Sequence, residues 1–107
     1  MKDYGAERDE KRERAAHAVR RLVREFGSHP WDINNGECEE FADALADALG
    51  DDNDEAVVVD CASDDWSIDY HHQCVRYGDR YYDAEEPYGV TDWRHLPLVI
   101  RHDRRDP

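Results

Sequence analysis

Hydrophobic periodicity changes once along this chain, and that change decides its fold class. Up to Leu49 the apolar residues recur at three- and four-residue steps; from Ala56 onward they alternate or run in short β-branched stretches. Ala15, Ala18, Val19, Leu22, Val23 and Phe26 form one stripe, which predicts a helix over residues 6–26. Gly27 supplies its stop, Pro30 forbids continuation, and Ser28 to Gly36 reads as a loop carrying Trp31 and Asn34-Asn35. Cys38, Phe41, Ala42, Leu45 and Leu49 form a second stripe, predicting a helix from Glu37 to Leu49 with Asn34 or Asn35 as its N-cap. Gly50 and the polar turn Asp51 to Asp54 follow. Strands are expected at Ala56–Asp60, His71–Tyr77 and Arg80–Ala84, a turn at Pro87-Tyr88-Gly89, and a last strand over residues 98–102 before a polar tail at 103–107. The expectation is an α+β chain of one domain, residues 1–107, with two N-terminal helices packed on a small antiparallel β-sheet.

The tightest local constraint is Gly78-Asp79. A two-residue loop with glycine first is the signature of a type II′ hairpin, and it sets the pairing of the flanking strands. Tyr77 then faces Arg80, Val75 faces Tyr82, Cys74 faces Asp83 and His72 faces Glu85. Because side chains alternate, His72, Cys74 and Arg76 share a face with Tyr81, Asp83 and Glu85. His72 and Asp83 become diagonal neighbours, roughly 7–8 Å apart at their α-carbons, within reach of a His–carboxylate hydrogen bond. His71, on the opposite parity with Val75, Tyr82 and Ala84, is excluded from that pairing.

Composition narrows the partners. There are 27 Asp and Glu against 14 Lys and Arg, a formal net charge of −13, and only Lys2 and Lys11 are lysines. Self-repulsion of that size weakens a compact state at low ionic strength and is screened at high salt. The pattern resembles the acidic cytosolic proteins of salt-loving archaea. A nucleic-acid partner is disfavoured, since phosphate binding needs a basic patch. The arginines of the first helix are interleaved with acids, which suggests i,i+4 ion pairs. No apolar run has the length of a membrane span, and three cysteines without an export signal point to reduced thiols in the cytoplasm.

Cys38 in the first turn of its helix meets the needs of a nucleophile: the helix terminus favours a thiolate, and its own amide suits an oxyanion hole. With His72 as base and Asp83 as orienter, the three roles of nucleophilic catalysis are present. The run Asn35-Gly36-Glu37-Cys38-Glu39-Glu40-Phe41-Ala42 resembles the nucleophile helix of the transglutaminase-like and NlpC-type branches of the papain-like superfamily. His72-Gln73-Cys74-Val75-Arg76-Tyr77 and Arg80-Tyr81-Tyr82-Asp83-Ala84-Glu85 are similar to the His and Asp strands of those families, in the same order along the chain. The resemblance spans residues 31–89, the candidate catalytic core. It implies a papain-like, transglutaminase-like core and a Cys38–His72–Asp83 triad transferring an acyl group from a peptide or amide to water or an amine. Trp31 and Asn35 are candidate substrate-binding residues. No cofactor is required.

Other readings compete. Cys38 lies on an apolar stripe and also suits a small buried hydrophobe. The chain is then a non-catalytic binding or structural module of the same fold, in a haloarchaeon or its virus. A metal centre is disfavoured, because neither C-x-x-C nor H-x-x-x-H spacing occurs. Cys61 and Cys74 read as core or strand residues and Trp31 and Trp66 as bulk for the core, while Tyr88 and Trp93 suit a cleft lining or the core alike.

Overall fold

A computed structural model describes residues 4–50, 56–61 and 72–104, with side chains from 10 to 101 within those segments. The order of elements is helix α1 (Tyr4–Phe26), helix α2 (Pro30–Gly36), helix α3 (Cys38–Ala48), strands β1 (Ala56–Cys61), β2 (His72–Tyr77), β3 (Arg80–Asp83) and β4 (Glu86–Val90), a 3₁₀ turn (Trp93–His95) and helix α4 (Pro97–Arg104). The fold is α+β, with one four-stranded antiparallel sheet in the order β1-β2-β3-β4. The turn at Asp51 to Asp54, His71, Trp66 and the last residues of the tail lie outside the described residues.

Three elements differ from the sequence expectation, and each contains a proline. The Ser28–Gly36 loop holds α2. His29 sits in extended backbone as N-cap and accepts the Trp31 N–H on its ring at 3.1 Å, while Pro30 opens the helix. The proline that cannot continue one helix is preorganised for the first turn of the next. The expected strand over residues 98–102 is instead α4, which begins at Pro97. Leu96 and Val99, three residues apart, are both fully buried, whereas Ile100 is at the surface. That spacing fits a helix and not an alternating strand. The expected turn at Pro87-Tyr88-Gly89 lies within edge strand β4, where a proline leaves no inner ladder bond unmade. Gly89 has φ +77°, and a β-carbon there would stand 2.7 Å from Cε1 of the buried Tyr82 ring. Glycine is needed at that point for contact as well as for backbone.

The hairpin register is the expected one: Val75 pairs with Tyr82, Arg76 with Tyr81 and Tyr77 with Arg80. Gly78 holds φ +65° in the turn. β3 ends at Asp83, so Glu85 does not pair with His72 but lies in the turn to β4. A register shift between Tyr81 and Asp83 bends this end of the sheet.

The sheet is covered on both faces. α3 packs on β1 and β2 and α1 on β3 and β4. Their stripes meet Val75, Tyr77, Tyr82 and Ala84 in the larger core, with Phe26 and Phe41 edge to face at 5.3 Å. The opposite face is smaller: Cys61 and Cys74 pack with Leu96 and Val99, flanked by Val59, Tyr81, Val90 and Trp93. Central strand β2 is thus buried on both sides, and His72 with it. Of the arginine–acid pairs expected along α1, Arg21–Glu25 at 3.6 Å is an i,i+4 pair; Arg12 reaches Asp79 of the hairpin instead.

Candidate active site

α2 and α3 are joined by a single residue. Glu37 donates its N–H to the Ile33 carbonyl at 2.7 Å, closing α2, and its carbonyl accepts the Phe41 N–H at 2.9 Å, opening α3. Its side chain does not cap α3. Cys38 is therefore the first residue of the helix, where backbone N–H groups have no intrahelical partners and the dipole favours an anion.

His72 opens β2 opposite Cys61 of β1 and is fully buried. Its Nε2 lies 2.9 Å from Oδ2 of the equally buried Asp83, the diagonal contact set by the Gly78-Asp79 turn. Asp83 Oδ1 accepts the Glu85 backbone N–H at 2.9 Å, so the carboxylate is held on both oxygens. His72 Nδ1 is buried and makes no hydrogen bond of ordinary geometry. With Nε2 taken by Asp83, Nδ1 is the nitrogen left for the half-buried Cys38 thiol.

The electrostatics follow from that arrangement. Burial acts to raise the Cys38 pKa, but His72 and the Gln73 backbone N–H outweigh it and bring the thiol below its ordinary 9.0; Glu39 opposes them. Burial acts to lower the His72 pKa, yet Asp83 and Cys38 together raise it from 6.5 to about 9. Opposed displacements of this kind favour thiolate beside imidazolium over neutral thiol beside neutral imidazole.

A second layer was not legible in the sequence. Glu85 accepts the Asn34 side-chain amide at 2.9 Å and binds Arg101 through both oxygens, at 2.7 and 2.9 Å. Burial pushes the Glu85 carboxyl upward, but Arg101 and Asn34 outweigh it and hold it low. These contacts tie α2 and α4 to the turn that carries the Asp83 clamp. No local motif announces them, because the partners are 51 and 16 residues apart.

The substrate-binding candidates fall at the surface. Trp31 is 46% exposed, and the exposed Asn35 donates its side-chain amide to the Trp31 carbonyl at 2.7 Å. Neither hydrogen-bonds to Cys38, His72 or Asp83 among the described residues. Asn34 is buried, and its amide is engaged by Glu85. The Cys38 backbone N–H, at the first position of α3, is the candidate oxyanion donor by position.

Cys61 and Cys74 are buried free thiols with their sulfurs 3.0 Å apart on the α4 side of the sheet. Contact with Cys61 and then burial push the Cys74 thiol strongly upward, opposite in direction to Cys38. Among the described residues, no group of three or more His, Cys, Asp or Glu is placed to hold a metal ion. No described helix is long and apolar enough to cross a membrane. No protein-family model matches the chain, and neither the curated proteins nor the solved structures yield a match.

Proposed function

We propose that the chain is a cysteine-dependent acyl-transfer enzyme, a peptidase, amidase or transglutaminase-like transferase built on a papain-like core. The observation that supports this reading best is the buried His72–Asp83 pair at 2.9 Å with Cys38 at the head of α3, where the thiol pKa is lowered and the imidazole pKa raised. Cys38 thiolate attacks the carbonyl carbon of a peptide or amide, and the Cys38 N–H stabilises the developing oxyanion. His72 imidazolium gives its proton to the departing amine, leaving a thioester on Cys38. Neutral His72 then takes a proton from water or an acceptor amine, which attacks the thioester and releases the acyl group. The thiolate and imidazolium are restored. Asp83 holds the imidazole in one tautomer and stabilises its cation throughout. Reduced thiols suit a cytoplasmic setting.

The test is release of amine from a panel of peptide and simple amide substrates in concentrated KCl. Cys38→Ser should abolish it, and His72→Ala should slow it by about 10²–10⁴-fold. Turnover that survives Cys38→Ser in the folded protein would sink the reading, and no turnover by the unmutated chain on any substrate of the panel would leave a non-catalytic module.

A further inference from the structure

A cavity of about 500 Å³ opens between the end of α1, the start of α2 and the β3–β4 turn. It does not include Cys38. Its size falls in the range of small-molecule sites. The floor is apolar, from Val19 and Val23 of α1, Pro30 of α2 and Ala84 and Pro87 beside β4. Arg20, Arg24 and His29 supply its basic wall.

That wall is out of character for the chain. Arg20 and Arg24 are i,i+4 neighbours, so they repel one another along the helix. The sequence places no acid three or four residues from either of them on α1, in a protein with 27 acidic residues. One residue along, Arg21 does have its i,i+4 acid, Glu25. Arg20 spends its guanidinium on Tyr88, donating to the phenol oxygen and lying over the ring at 4.9 Å from its centroid. Arg24 forms no ion pair among the described residues. Glu85, the acid that lines the cavity, has both oxygens occupied by Arg101 and Asn34 and does not neutralise the pair.

We infer that this cavity binds a small carboxylate with an apolar body, the chain lying on the Val19–Val23–Pro87 floor and the carboxylate between Arg20 and Arg24. One anion relieves the repulsion between two guanidinium groups and gains charge-assisted hydrogen bonds. The apolar floor adds the burial of an apolar body, which a bare anion lacks. The site goes beyond the acyl-transfer reading and stands apart from it, since binding is read without turnover.

The experiment is an amide-resolved NMR titration of the full chain with octanoate, and with octylamine and octanol as equal-length controls. Octanoate should give saturable shifts at Val19, Val23 and Ala84, while octylamine gives none there and octanol binds more weakly. Arg24→Glu, a change at an exposed position that forms no ion pair among the described residues, should leave the fold and melting temperature intact. It should weaken octanoate by at least about tenfold. Absence of saturable shifts, equal response to octylamine, or full octanoate affinity in the folded Arg24→Glu chain would overturn the proposal.

Discussion

The same functional group is placed in two opposite environments in this protein. Cys38 is half-buried at the head of a helix, beside an imidazole and a backbone N–H, and its thiol pKa falls. Cys74 is sealed between strands beside a second thiol, under Leu96 and Val99, and its thiol pKa rises. One strand carries both Cys74 and His72, the imidazole beside Cys38. Proximity to His72 along the chain is therefore not what activates a thiol here. What differs is access to donors: Cys38 meets a cation and an amide, whereas Cys74 meets a sulfur and aliphatic side chains. A thiolate is stabilised by the first set and penalised by the second.

Native-state alkylation should expose that contrast most strongly. Iodoacetamide should modify Cys38 about 10³-fold faster than Cys61 or Cys74, which react only after local opening of the strand pair. The rate at Cys38 should rise with pH around a midpoint below 9.0, since a lowered thiol pKa keeps thiolate present at lower pH. His72→Ala should move that midpoint upward. Site-resolved mass spectrometry checks both, and equal rates at the three cysteines would erase the distinction.

A smaller effect should appear in stability. Asp83→Ala leaves a buried imidazolium without its partner and should cost about 3–5 kcal/mol at pH 6. Because the folded His72 pKa is raised from 6.5 to about 9, its contribution is fully present below 6.5 and is lost as pH rises through about 9. The Asp83→Ala penalty should therefore shrink above pH 9. Denaturant titrations at the two pH values decide it; a penalty unchanged with pH would mean that the carboxylate is structural alone.

The smallest effect concerns the other region. Cys74→Ser buries a hydroxyl where a thiol made only sulfur and apolar contacts, and should cost about 1–3 kcal/mol. Cys74→Val keeps the apolar surface and should cost less than about 1.5 kcal/mol. If serine were tolerated as well as valine, the second core would be wetter than its burial implies.

The parts legible from sequence were those governed by local rules. The stripe from Ala15 to Phe26, the stripe from Cys38 to Leu49 and the Gly78-Asp79 turn each carry their own periodicity or turn chemistry, and the turn alone was enough to set His72 against Asp83. Two of the differences share one cause. In a local reading Pro30 ends a helix and Pro87 marks a turn, because a ring without an N–H ends a ladder. The same ring also opens a helix or sits at a sheet edge, and only tertiary burial chooses between those uses. The tie of Glu85 to Asn34 and Arg101 lay beyond any local reading, since it exists only once α2 and α4 have folded.

Glu37 carries a constraint of a different kind, one that concerns heritable variation. Its side chain is exposed and caps nothing, so most replacements there should be silent. Its peptide, by contrast, ends one helix with its N–H and begins the next with its carbonyl. One extra or missing residue between Gly36 and Cys38 would turn the thiol by about 100° around the helix axis and unlink the two ladders. The joint is therefore open to substitution and closed to insertion or deletion.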